Sequence, residues 1–277
     1  MRKMNYGLVG FTALAMFSAG QAQAQSAETP FNWSGPYVGL NAGYVIDGKT
    51  RFDRTTGDLP NNQAALDNNL RPTQQTVDGK GFTGGAQAGY NYALGAGNGL
   101  VIGAEADLSY VDLSDTDTLS NTTNFGGGVT PSPTPVTRVN EYRAKLGYLG
   151  TLRGRVGYAF DRVMVYGTGG LAFGKVKRST TFFGPNLPTT PFFTGSDSST
   201  KVGYAVGGGV EFALPTQASA NLAGSSAVTL RAEYLHFDLG RDKLRLDGVN
   251  GGATIGGYDS RVRTSGNLVR AAINYKF

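Results

Sequence analysis

Apolar and polar residues alternate one for one in eight stretches of the chain, separated by turn-rich segments. This is the period of a strand with two unlike faces. The first run, Tyr37 to Ile46, sets Val38, Leu40, Ala42 and Tyr44 against Tyr37, Gly39, Asn41 and Gly43. In the second, Phe82 to Ala93, the residues Phe82, Ala86, Ala88, Tyr90 and Tyr92 oppose Thr83, Gln87 and Asn91. The third alternates Leu100, Ile102, Ala104, Ala106, Leu108 and Tyr110 with Gly103, Glu105, Asp107 and Ser109. A fourth, Tyr142 to Phe160, carries Leu146, Leu152, Val156, Tyr158 and Phe160 on one face, with Arg143, Lys145, Thr151, Arg153 and Arg155 on the other. The fifth, Val163 to Val176, is ambiguous in its facing. The sixth places Val202, Tyr204, Val206, Val210 and Phe212 against Lys201, Ala205 and Glu211. The seventh places Val228, Leu230, Ala232 and Tyr234 against Thr229, Arg231 and Glu233. The last gives Val269, Ala271, Ile273, Tyr275 and Phe277 one face, and Arg270, Asn274 and Lys276 the other.

The connections sort by length. Segments 47–80, 112–138, 178–200 and 240–260 are long, polar and rich in Asn, Asp, Thr, Pro and Gly, which reads as four long loops. Gly95 to Asn98, the pair Asp161-Arg162, and Pro215 to Ser226 are shorter. A membrane-spanning barrel of even strand count has short periplasmic turns and long extracellular loops, whereas a soluble sandwich has no reason to sort them. Tyr44, Tyr90, Tyr110, Tyr158 and Tyr275 stand at the ends of apolar faces, where an amphipathic ring suits a headgroup boundary. The expected fold is all-β, an eight-stranded antiparallel up-and-down transmembrane barrel.

Composition agrees. Glycine contributes 42 of 277 residues without a collagen period, and aromatics make up 11%, a mixture that suits pleated strands better than helices. Residues 1–24 read as a secretory signal peptide: Arg2 and Lys3, the apolar run Leu8 to Phe17, then Ala22-Gln23-Ala24. Residues 25–277 then form the barrel. Removing Arg2 and Lys3 leaves 23 basic against 20 acidic residues, a net +3, too little to argue for a nucleic-acid partner. No cysteine is available for disulfides, so a closed hydrogen-bonded barrel has to supply the stability of an exported chain. Mean hydropathy of −0.22 is compatible with a spanning barrel, because only alternate residues face lipid.

Three stretches, WSGPYVGLNAGY from Trp33, GTLRGRVGYAFDRVMVYGTGGLAFG from Gly150, and TLRAEYLHFDLG from Thr229 together with the terminal INYKF, resemble the small outer-membrane β-barrel proteins of bacteria, the OmpA-like or porin-family surface proteins. GFTGGAQAGYNY and VIGAEADLSY extend the resemblance over most of the chain outside the long segments. It implies an eight-stranded barrel in the outer membrane. Tyr275 and terminal Phe277 resemble the signal that such barrels present to the outer-membrane assembly machinery. Members of the family are called porins, surface antigens or hemin-binding proteins, so the fold transfers better than the activity.

An eight-stranded barrel has an interior just wide enough to be filled by its own side chains, and charges placed there have to pair. Counting from the short-turn rim puts Arg153, Arg155, Arg231 and Arg270 at the height of Glu105, Asp107 and Glu233, a lumenal charge network at mid-membrane. Its plain role is to plug and orient the barrel. Its alternative is a narrow conduit, in which net basic character would favour anions.

Enzyme chemistry is not expected. The single histidine, His236, shares the outward parity of Tyr234, and no nucleophile and acid accompany it. Gly169 to Lys175 approaches a phosphate-loop spacing, but Val176 replaces the required hydroxyl within a strand pattern. Asp112, Asp115 and Asp117 lack the glycine and closing glutamate of a calcium loop. Haem capture could draw on His236 or Tyr258 near the last long loop, with Phe182, Phe183, Phe192 and Phe193 as an apolar lid. The leading reading is a monomeric structural and surface-interaction barrel that contacts outer-membrane lipid and lipopolysaccharide, without cofactor or metal.

Overall fold

A computed structural model describes residues 30–277 except 96, 127–129, 216–217, 219–226 and 250–254. The proposed signal peptide, residues 1–24, lies outside the described residues. Eight strands follow in order: β1 (Gly35–Gly57), β2 (Gln75–Leu94), β3 (Asn98–Gly126), β4 (Thr130–Phe160), β5 (Val163–Gly184), β6 (Leu187–Ala213), β7 (Ala227–Gly248) and β8 (Gly257–Lys276). A short helix, α1 (Pro60–Asp67), stands between β1 and β2. Each strand pairs antiparallel with the next, and β8 returns to β1, so the sheet closes into a barrel without an edge.

The strands run 20 to 31 residues, where about 9–11 suffice to cross a bilayer. The excess lies at one end. Most of the four segments expected as long loops is strand, and the true connections there are only 58–74, 127–129, 185–186 and 249–256. Their Asn, Asp and Thr are not turn formers but the water-facing residues of a barrel that continues beyond the membrane.

The wall is turned inside out halfway along. At the short-turn half, large apolar residues stand outward around the barrel, Leu40 on β1 65%, Phe82 on β2 74%, Leu152 on β4 54% and Val202 on β6 64% exposed, as lipid contact requires. In the protruding half the apolar side chains point inward: Phe52, Val77, Tyr142, Phe182, Phe193, Leu244, Leu246, Tyr258 and Val262 form one buried cluster. Register shifts between Val45 and Gly48, Leu146 and Leu149, and Asp238 and Arg241 accompany the change. On β4 the inward set passes from Leu149, Thr151 and Arg153 to Leu146, Tyr142 and Asn140. Arg143 and Lys145, expected beside Arg153 on the inner face, therefore stand outside, and Leu146 inside. A strand irregularity of this kind re-aims every side chain beyond it, which strict alternation cannot anticipate.

Inside, layers succeed one another. Trp33, Val101, Ala159, Met164, Tyr166 and Ala213 close the short-turn end, with the Trp33 indole N–H donating to the Asp161 carbonyl at 2.7 Å. A charged layer follows, then an apolar one that includes Val45, Leu113, Leu146, Val176, Leu235 and Leu268. The aromatic cluster fills the protruding half, and α1 covers its mouth, with Ala65 and Leu70 packed on Val136.

Candidate functional site

Four arginines and four carboxylates meet in the charged layer. Three pairs are direct neighbours across the sheet: Glu105 on β3 with Arg153 on β4, Glu211 on β6 with Arg231 on β7, and Glu233 on β7 with Arg270 on β8. Each arginine also reaches across the lumen. Arg153 donates to Glu105 at 2.7 Å, Asp107 at 3.1 Å and Glu233 at 3.0 Å. Arg231 donates to Glu105 at 2.5 Å and Glu211 at 3.1 Å. Arg270 joins Glu233 at 2.6 Å and Asp107 at 2.9 Å, and Arg155 joins Glu211 at 2.8 Å. None of the eight exceeds 6% exposure.

Hydroxyls complete the carboxylate shells. Tyr37 donates to Glu105 at 2.6 Å, Tyr166 to Glu233 at 2.8 Å and Thr229 to Glu211 at 2.6 Å, while Thr151 donates to Asp107. The Arg155 guanidinium also lies over the Tyr166 ring, 4.0 Å from its centre. Glycines make the slots for both phenols: a Cβ at Gly89 would stand 2.4 Å from the Tyr37 oxygen, and one at Gly209 would stand 2.7 Å from that of Tyr166.

The seven residues expected in the lumen, Glu105, Asp107, Arg153, Arg155, Arg231, Glu233 and Arg270, all lie in this cluster. Glu211, Tyr37 and Tyr166 complete it. Parity places Glu211 on the inner face, but a count from the rim puts it only two residues above Ala213, below the height of the network. Its inclusion changes the electrostatics: four positive charges face four negative ones, so the net basic layer that would have favoured anions is absent.

His236 and Tyr258 are not neighbours. His236 is half-buried in the belt of the outer wall, its Nδ1 2.9 Å from Asn267 Oδ1 and its ring 6.1 Å from that of Tyr204. Tyr258 is buried inside the protruding half, its ring 5.2 Å from Phe182 and 4.9 Å from Phe193. Paired through the β7–β8 ladder, they stand roughly ten strand positions apart, on opposite faces of the wall, on the order of 30 Å at strand rise. They cannot ligate one iron together, and Phe182 and Phe193 are core residues instead of a free lid. Tyr275 and Phe277 lie on the outer face of the last strand, rings 5.0 Å apart, with Phe277 exposed.

The mouth of the barrel is pinned by two charged residues. Arg71, fully buried, donates to Asn140 Oδ1 at 2.7 Å and to the Phe183 carbonyl at 2.6 Å, and lies 4.7 Å from the Phe182 ring centre. Burial, aided by nearby Arg138, lowers its pKa to about 10, so it remains a cation at neutral pH. Asp58 accepts from the Gly257 amide at 2.7 Å, Arg245 at 2.6 Å and Asn62 at 3.2 Å. Burial pushes the Asp58 carboxyl up, but these donors outweigh it and hold it at about 2.

A closed antiparallel barrel, apolar outside along a membrane-high band and packed with paired charges inside, is a membrane-spanning β-barrel. The chain belongs to the outer membrane protein beta-barrel domain family, whose model matches residues 10–276, and its place is the cell outer membrane. It is 36% identical over 253 residues to the 31 kDa outer-membrane immunogenic protein of Brucella melitensis, covering 89% of this chain and 85% of that one. To a 22 kDa outer membrane protein of Rhizobium leguminosarum it is 33% identical, over 71% of this chain and 67% of that one. Among solved structures, the attachment invasion locus protein Ail of Yersinia pestis matches with 14% identity and a TM-score of 0.28, covering 85% of this chain and 99% of that chain.

Proposed function

We propose that this barrel is a sealed element of the outer membrane that acts through its protruding half, and not a conduit. The observation that carries the reading is the charged layer. Its arginines and carboxylates balance and are buried, and each carboxylate accepts from at least two donors, so separating them would strand ions in a low-dielectric interior at a cost of several kcal/mol each. Apolar layers on both sides of it add two further barriers to water. The end with the extended strands is the extracellular one, in keeping with the usual asymmetry of such barrels. There the molecule presents a rigid, water-facing cylinder capped by α1, a surface suited to contact with lipopolysaccharide and with external partners. The reading involves no catalytic step: the single histidine is engaged by Asn267 and Tyr204 in the outer belt. The barrel acts as a monomer, and the exposed Tyr275 and Phe277 are what it shows the assembly machinery.

Planar-bilayer recording of residues 25–277, refolded and verified by heat-dependent gel mobility, tests the seal. The expected result is a silent membrane. Discrete, reproducible conductance steps from the wild type, altered in size by Arg153→Ala, would overturn it in favour of a small-ion pore.

A further inference from the structure

Above the aromatic belt, the outer wall carries a line of arginines in direct register. Arg51 on β1 lies opposite Arg263 on β8, and Arg263 opposite Arg241 on β7. Residues directly opposed on one face have Cβ atoms about 5 Å apart, and like charges so placed repel. Three arginines in a row therefore favour an anion laid across them. The next row outward is Asp53, Arg261 and Lys243. Lys49 stands on the belt side of Arg51.

Internal acids neutralise only half of the patch. Asp53 takes Arg51 at 2.8 Å, Asp47 takes Lys49 at 2.8 Å, and buried Asp238 takes Arg263. Arg241, Lys243 and Arg261 have no ion-pair partner among the described residues. A groove of about 470 Å³ runs between Arg51, Asp53, Gln74, Arg241, Arg261 and Arg263. A second, of about 500 Å³, continues from it past Lys49 and Arg51 towards Asp78 and Ser265.

Height selects the partner. Tyr234 and His236 both bond Asn267, which marks the belt on this side of the barrel. Arg263 lies four residues further along β8, roughly 10 Å above the belt for a strand tilted by about 40°. That is just beyond the headgroup layer, which is about 5–7 Å thick, and flexible arginine stems can reach back into it.

We infer that the β7–β8–β1 face holds the phosphate groups of an outer-leaflet glycolipid, a lipid A headgroup, with Arg51, Arg241 and Arg263 as the central contacts. Guanidinium groups suit this role because they pair with phosphate through two parallel hydrogen bonds. The inference rests on the reading that the extended end faces outward. It adds that one sector of the wall is a built anion seat and that the lipid is anchored at a fixed place.

The protein extracted from outer membranes in detergent is titrated with bisphosphorylated lipid A, with the same lipid stripped of its phosphates, and with inorganic pyrophosphate, following the midpoint of heat-modifiable gel mobility. The triple variant Arg51→Gln/Arg241→Gln/Arg263→Gln is compared with Arg143→Gln/Lys145→Gln/Lys177→Gln on the opposite wall. Bisphosphorylated lipid A should raise the midpoint of the wild type and of the opposite-wall variant. The triple variant should bind it about a hundredfold more weakly, on the order of fivefold for each arginine beside an anionic lipid surface. An equal shift with the stripped lipid, or an undiminished shift in the folded triple variant, overturns the inference. An equal shift with pyrophosphate alone would make this a seat for soluble anions and overturn the lipid assignment. The underlying orientation has its own readout: the chain has no cysteine, so Asp247→Cys should react with an impermeant maleimide on intact cells. If it does not, the orientation fails whatever the lipid titration shows.

Discussion

The two halves of the barrel are one continuous sheet in two solvents. Along the membrane the wall is apolar outside and charged inside; beyond it the wall is charged outside and aromatic inside. The same eight strands serve both halves, and on β1, β4 and β7 a local irregularity at the boundary shifts which residues face inward. Burial therefore means different things at different heights. A buried arginine such as Arg153 belongs to the membrane half, where the lumen is the only place to hide a charge from lipid. A buried phenylalanine such as Phe182 belongs to the protruding half, where the lumen is the only place to hide an apolar ring from water.

The sharpest way to break this contrast is to damage each interior in turn. Arg153→Ala removes one guanidinium from Glu105, Asp107 and Glu233, and truncating one partner of a buried ion cluster costs about 3–5 kcal/mol. Loss of the compact, heat-modifiable gel form, or a large drop in its midpoint, is the expected outcome. Phe182→Ala should cost roughly 3 kcal/mol as a cavity, but confined to the protruding half. Gel mobility should persist while proteolysis opens between residues 112 and 138. Equal effects of the two variants on both readouts would show that the halves unfold as one.

Smaller changes address the cap. Arg71→Met keeps the apolar stem and removes the charge-assisted bonds to Asn140 and Phe183, worth about 2 kcal/mol locally; faster amide exchange in α1 without change in the barrel strands is the check. The smallest effect is that of pH on Asp58. Its carboxyl is held at about 2, below its unfolded value, so the stabilisation is fully present above about pH 4 and is lost as pH falls towards 2. Exchange in α1 should rise over that window, and Asp58→Asn, under about 1 kcal/mol at this partly exposed site, should flatten the dependence.

What the sequence revealed follows from the same contrast. In the membrane half the unlike faces are extreme on most strands, so Leu100 to Tyr110 or Val202 to Phe212 could be assigned to strands and faces by inspection, whereas on β5 apolar Met164 and Tyr166 face inward beside outward Val163 and Val165 and blur the alternation. The protruding half offers water on its outer side, and its outward Asn, Asp and Thr make the segments look like loops. Only its inner face is apolar, and there polar residues interrupt the pattern, as Thr50 does beside Phe52, Asn140 beside Tyr142 and Thr180 beside Phe182. Arg143 and Lys145 were misplaced by the shift on β4. The network was legible wherever height could be counted from a turn, as for Arg153 and Arg270. Glu211 falls outside that count because it stands only two residues from its strand end at Ala213, whereas Arg153 stands seven from Phe160. The phenols Tyr37 and Tyr166 gave no signal, since a tyrosine on an inner face looks the same whether or not a carboxylate awaits it. The inward glycines Gly89 and Gly209, read only as composition, were the trace of those rings.

The distribution of the charged layer around the circumference bears on how the barrel comes together. Glu105 and Arg153 come from adjacent strands, but Arg231 waits for Glu105 across the lumen, and Arg270 sits on the strand that must return to β1. A chain with its final strand missing would leave Asp107 and Glu233 short of a cation in a membrane interior. Closing the seam therefore completes the neutralisation of the lumen, and a sheet of the wrong circumference, or one joined out of register, would leave those carboxylates short of partners in a low-dielectric interior.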